Sequence, residues 1–269
     1  MRLGALTILA LLLAPTAASA ADPCADVAHA IAALKEDDVF QASTELFAAA
    51  RLGCEPQARA LLDRGAAIDA KDREGATALD RAAKAGKIKL VTLLLSRGAD
   101  VNARAVNGST PLFYAAEADR AEVLRLLLDH GADSNIPGRS GLRPLAAAAY
   151  NGSEENVERL LKYGADPNAL DDDGKGAMVY AAGRAYAPIV ALLIDAGVDV
   201  NRRYGHGLTA LMWAAVPDAS AGSEDVNATL RTLIDHGAAL DLKDDRGKTA
   251  ADIAHGLGRE REAKMLEKK

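Results

Sequence analysis

The residues able to act as acids, bases, nucleophiles or metal ligands are few and scattered. Five histidines occur, His29, His130, His206, His236 and His255. No His-x-x-x-His, Cys-x-x-Cys, Gly-x-Ser-x-Gly or phosphate-loop pattern brings such groups within one turn or loop. Asp171-Asp172-Asp173-Gly174 has the carboxylates of a calcium loop but lacks its alternation and its distal glutamate, so it reads as a turn. Asn107-Gly108-Ser109, Asn151-Gly152-Ser153 and Asn227-Ala228-Thr229 fit the glycosylation pattern, and the first two double as turns. No enzyme activity, cofactor or metal is expected. Recognition chemistry is better represented. Tyr114, Tyr150, Tyr180, Tyr204 and the single Trp213 stand with Arg139 and His206 in the middle and C-terminal parts of the chain. Tyrosine, tryptophan and arginine are the side chains that most often anchor protein interfaces.

What positions these residues is a repeat. Gly65, Gly98, Gly131, Gly164 and Gly197 each lie 33 residues apart, and so do Gly75, Gly108, Gly141, Gly174 and Gly207. The next members, Gly237 and Gly247, come 40 residues later, which places one insertion of seven between Gly207 and Gly237. The first ladder suits left-handed caps at the ends of second helices, where glycine carries no Cβ penalty. The segments that follow, such as Gly98-Ala99-Asp100-Val101-Asn102 and Gly164-Ala165-Asp166-Pro167-Asn168, suit tight turns closed by Asp and Asn side chains. Between the ladders, Thr110-Pro111-Leu112-Phe113-Tyr114-Ala115-Ala116 opens one helix, and Leu126-Leu127-Leu128 belongs to a second.

The period, the Thr-Pro-Leu opening, the Leu-Leu pair and the Gly-Ala-Asp-x-Asn close resemble the ankyrin repeat. The resemblance covers roughly residues 41–269. It implies an all-α solenoid of helix-turn-helix units with β-hairpin or turn tips. About six repeats, near 41–71, 72–104, 105–137, 138–170, 171–203 and 204–243, precede a C-terminal partial repeat at 244–269. The histidine usual after Thr-Pro-Leu is absent, and Asp80, Phe113, Ala146, Val179, Met212 and Asp252 stand there. The resemblance also implies non-catalytic protein binding through a concave face of tips and first helices. Lys84, Glu117, Tyr150, Arg184 and Val216 are its expected exposed positions. Tyr114, Tyr180 and Trp213 either face a partner there or pack between successive first helices. Arg202-Arg203, beside Tyr204, is either a solvated turn or a contact for an acidic partner. The insertion, Val216 to Ser223, is a surface loop or a partner-contacting flap.

The two ends read differently. Residues 1–20 have one arginine, a short apolar run and Ala18-Ser19-Ala20, the pattern of a signal peptide cleaved after Ala20. The run is shorter than the roughly 20 residues needed to span a bilayer. Residues 21–40 then carry Val27, Ile31 and Leu34 on one helical face, as expected of a helix capping the first repeat. After export, two cysteines imply a Cys24–Cys54 disulfide rather than two buried thiols. A formal charge of −6 argues against nucleic acid, whose phosphates need a basic surface. The expectation is a monomeric, exported, periplasmic bacterial protein with a protein partner and no membrane span. A secreted effector or inhibitor, of the immunity-protein kind, is one alternative. The other is an accessory protein protecting a periplasmic enzyme under stress, as the resemblance to some exported bacterial proteins implies.

Overall fold

The computed structural model of the protein describes residues 22–35, 38–218 and 221–267. The expected signal peptide lies outside the described residues. Among them all regular structure is helical. A short helix, α1 (Ala25–Ala33), precedes seven helix pairs. The first members are α2 (Val39–Leu52), α4 (Ala78–Lys84), α6 (Pro111–Glu117), α8 (Pro144–Asn151), α10 (Ala177–Gly183), α12 (Ala210–Ala215) and α14 (Ala250–Gly256). The second members are α3 (Glu55–Asp63), α5 (Ile88–Ser96), α7 (Ala121–Asp129), α9 (Glu154–Lys162), α11 (Ala187–Asp195), α13 (Ser223–Asp235) and α15 (Glu260–Leu266). The last unit, read as partial, therefore carries both helices. The tips are turns rather than ladders, and the single bridge among the described residues joins Leu170 and Gly176.

First helices stack on first helices from α2 to α14, and second on second from α3 to α13, in chain order. Side-chain size explains the closeness of the first layer. Ala49-Ala50, Ala82-Ala83, Ala115-Ala116, Ala148-Ala149, Ala181-Ala182 and Ala214-Ala215 are all fully buried. Such small pairs let neighbouring backbones approach. Leu61, Leu94, Leu127, Leu160, Leu193 and Leu233 fill the second layer in the same register. Each such leucine is worth about 1.5–3 kcal/mol of burial.

The closing turns tie one repeat to the next. Asp133 Oδ1 accepts from its own Asn135 N–H at 2.8 Å. Asn135 then spans to the following repeat, accepting from Asp166 N–H at 2.8 Å and donating to Gly164 O at 2.9 Å. Asn102 and Asn201 make the same two-sided bridge. The basic pair Arg202-Arg203 is spent in this way too. Arg202 donates to Asn168 O and Arg203 to Lys243 O, so both guanidiniums serve neighbouring turns.

At the N-terminal end, α1 packs on α2 and α3. Val27 is buried, and Ile31 and Leu34 pack against the core. Cys24 and Cys54 are joined in a disulfide, and Arg64 donates to Ile31 O and Leu34 O at 3.0 Å each. At the other helix ends, His130 and His236 place Nδ1 2.8 and 2.7 Å from carbonyls four residues back. Pro188 falls in the first turn of α11, where its missing N–H costs nothing. Ser153 stands at the start of α9, but its side chain makes no capping bond.

Three of the residues standing where the resemblance expects a histidine settle in two ways. Phe113 is fully buried under the next tip, where a Cβ on Gly138 would come within 2.6 Å of its ring. Asp80 and Asp252 each close a capping box with the threonine three residues earlier. The same box titrates in opposite directions. Asp252 is exposed, and the bonds from Thr249 hold its carboxyl below the usual range. Asp80 is buried, its Oδ1 has no hydrogen-bond partner, and burial pushes it up to about 7.

Two stability predictions follow from these contacts. Because the folded pKa of Asp80 is raised, the folded state holds a proton that the unfolded chain releases near pH 4. Stability therefore falls as pH rises from about 4 to 7. Asp80→Asn should be more stable than the native chain at pH 8, by roughly 2–4 kcal/mol, with the gap closing at pH 4–5 in urea titrations. A gap independent of pH would show that Asp80 does not carry this proton. Asn135→Ala strands Asp166 N–H and Gly164 O and should cost about 1–3 kcal/mol in the same assay.

Candidate functional site

Among the described residues, the face made by the first helices and the tips carries at least three cavities, and the predicted residues divide around them. Tyr150 closes α8 and is 46% exposed. Its ring meets Tyr180 edge-on, with centroids 5.9 Å apart, and carries the Arg184 guanidinium 4.4 Å above it. Arg184 also pairs with Asp218 at 3.0 Å, and Asp218 N–H donates to Gly183 O at 2.7 Å. The first turn of the insertion is thereby clamped to the end of α10. Tyr180 donates its hydroxyl to Asp171, and burial and that bond raise its pKa well above the ordinary phenol value. Lys175 lies 5.7 Å over the Trp213 ring. These residues enclose a cavity of about 220 Å³, with Gly183 in its floor.

Gly183 explains that cavity. A step of 33 from Tyr150 leads to Gly183, so Arg184 lies one position beyond the row to which the sequence assigned it. The row is otherwise Lys84, Glu117, Tyr150 and Val216, of which all but the half-buried Glu117 are exposed. With no side chain at Gly183, the Trp213 ring approaches to 3.8 Å of its missing Cβ position. Arg184, freed from the row, reaches back to Tyr150.

Two predicted residues do not belong to the surface. Tyr114 and Tyr204 are each 7% exposed. Tyr114 lies between Ala76 and Ala105 with its hydroxyl beside Asn107, and Lys84 lies 5.4 Å above its ring. Tyr204 packs in the main core, and burial pushes its hydroxyl up to about 12. Tyr180 and Trp213 are half-buried, so they both pack between helices and face the cavity. Arg139 is exposed and holds Glu117, the row neighbour of Tyr150, at 2.6 Å. His206 is exposed at a tip, in the left-handed region at φ 60°, and its carbonyl accepts from Asp245 N–H.

Sequence reasoning missed Lys175, Asp218 and Tyr186, the last lying 5.9 Å from Arg184. It also missed the N-terminal cleft. There α2 begins well before the other first helices and takes the place of an opening tip. Phe40, 82% exposed, and Val39 border a cavity of about 940 Å³ against the tip at 71–74. A phenylalanine outside the repeat register was the available signal. All three glycosylation patterns are engaged in the fold: Ser109, Asn227 and Thr229 are buried, and Asn151 Nδ2 donates to Ala116 O and Glu117 O. No group of three or more potential metal ligands occurs among the described residues, and no helix among them is long and apolar enough to cross a membrane.

The family model described as Ankyrin repeats (3 copies) matches residues 6–105, 102–171 and 145–221. Comparison with curated proteins gives no significant match.

Exposure predicts which aromatics serve the fold. Tyr114→Ala and Tyr204→Ala should each cost about 3 kcal/mol, as expected of a buried aromatic. Tyr150→Ala should cost about 1 kcal/mol or less. Equal losses at all three positions in denaturant titrations would place Tyr150 in the core instead.

Proposed function

The chain belongs to the ankyrin-repeat family, and we propose that it is a non-catalytic protein-binding scaffold of the periplasm. Ankyrin repeats generally mediate protein–protein interaction. The partner docks on the first-helix face, centred on Tyr150, Tyr180, Arg184 and Trp213. The observation that carries this reading is the stacked Tyr150–Arg184 pair beside a cleft floored by glycine. An exposed tyrosine held rigid by a guanidinium loses little entropy on binding, which is the property of an interface anchor. In the regular repeats the same row carries Lys84, over the buried Tyr114 ring, and Glu117, paired with Arg139. The disulfide supports export, because such bonds persist in oxidising compartments and are rare in the cytosol. The apolar run at residues 3–14 supports it as well.

Crosslinking capture by the chain beginning at Ala21 should recover a protein partner. Tyr150→Ala and Trp213→Ala variants, shown to fold by circular dichroism, should recover at least about tenfold less, since anchor residues contribute 2 kcal/mol or more. Equal recovery would remove this face from the interaction. Cell fractionation tests the location: full-length protein retaining residues 1–20 in the cytosol would overturn the periplasmic reading.

A further inference from the structure

Trp213 is a shared wall. On one side lies the 220 Å³ cavity with Tyr150, Lys175 and Gly183. On the other lies a cavity of about 350 Å³ floored by Met212 and Ile253 and bordered by Leu257 and Lys248. Both cavities also include Val216, so the two run together along α10, α12 and α14. Each is at or below the low end of small-ligand pockets, which span about 300–1,000 Å³, and suits single side chains of a longer segment. Val216 and Leu257 are 42% and 54% exposed, and they bracket the indole with apolar surface that water solvates poorly.

The charge around this groove runs against that of the chain. The whole molecule is acidic, at −6. The groove is lined by four cations, Lys175, Arg184, Arg246 and Lys248, and two carboxylates, Asp218 and Asp252. The carboxylates are already engaged. Asp218 pairs with Arg184, and Asp252 accepts the Thr249 capping bonds with Lys248 and Lys243 nearby. Arg246 is held by the buried Asp244 at 2.7 Å. Lys248 has no ion pair within 4 Å among the described residues, and Lys175 has only the exposed Asp173 at 3.7 Å. These two lysines stand two tips apart, before α10 and before α14, with the 205–207 tip between them, at either end of the Trp213 groove.

We propose that this groove takes an acidic peptide segment of the partner protein, with an apolar side chain beside Trp213 and flanking carboxylates on Lys175 and Lys248. This rests on the reading of the first-helix face as the binding surface. An apolar floor with a cationic rim discriminates through both terms: the floor holds the anchor, and the rim charges favour acidic flanks and penalise basic ones.

A displayed library of random dodecapeptides, panned on the chain beginning at Ala21, tests the chemistry without prior choice of partner. Enriched sequences should carry Leu, Ile or Phe flanked by Asp or Glu. Synthetic peptides of those sequences should shift the emission of Trp213, the only tryptophan, and bind more weakly as salt is raised. Lys175→Glu/Lys248→Glu should weaken binding by about tenfold or more, and Lys175→Gln/Lys248→Gln by less. Gly183→Leu fills the cleft in a helical position and should block binding while keeping the fold. Enrichment of basic or uncharged sequences that Gly183→Leu still blocks would overturn the acidic partner and leave the binding face standing. Enriched peptides indifferent to Gly183→Leu and Trp213→Ala, or no enrichment at all, would overturn both.

Discussion

Everything in this structure depends on the inability of one helix pair to bury its own apolar side. Each pair offers a row of alanines on its first helix and a row of leucines on its second. Neither row leaves water until the next pair arrives. The 33-residue period is the chemical record of that dependence. Ala82 and Ala83 are fully buried because Ala49-Ala50 and Ala115-Ala116 stand on either side of them. The ends break the series and need covers of their own. At the start, α1 is fixed by the Cys24–Cys54 disulfide and by Arg64. At the finish, α15 turns exposed charged residues outward, while Ala263 and Leu266 face in.

Close stacking also decides what the exposed face looks like. Small residues in the first layer bring successive tips within backbone hydrogen-bond reach, as between Val106 N–H and Glu74 O and between Asp172 N–H and Ser140 O. Side chains at one register then form a continuous row along the solenoid. A single glycine in that row opens a gap one side chain wide. Gly183 is that gap, and the aromatic and basic groups around it are those whose neighbours left them room.

How much of this could be read from residues alone follows the same physics. The glycine ladders, the closing Asp-x-Asn turns and the helix pairs were legible because each is a local rule repeated at one period. The pairing of Cys24 with Cys54 was legible from their number and the export pattern. The fate of the family histidine position was not. Phe113 and Asp80 share one register, yet one fills space beneath Gly138 and the other closes a local capping box. The burial of Tyr204, and the choice left open at Tyr114, were not legible for a related reason. Register fixed where each ring stands, but whether water reaches it depends on the neighbours it meets in the fold, such as Ala76 of the preceding repeat and Ala105 of its own tip for Tyr114. Arg184 stands one residue beyond the exposed row, whose own member, Gly183, has no side chain to mark the position.

The position of the candidate site follows from where the repeat departs from its own rules. Thr77, Thr110, Thr209 and Thr249 cap their first helices through the hydroxyl. Arg143 and Gly176, at the starts of α8 and α10, make no such bond. Those two helices carry Tyr150, Tyr180 and Gly183. The next repeat holds the insertion, whose Asp218 reaches back to Arg184. A missing cap costs about 1 kcal/mol, and an insertion adds loop entropy. Regular neighbours on both sides absorb these costs, because stability in a stacked array is shared between adjacent units. Irregularity concentrated in three successive repeats, with aromatic and cationic side chains at its centre, is the pattern expected where sequence serves recognition rather than stacking.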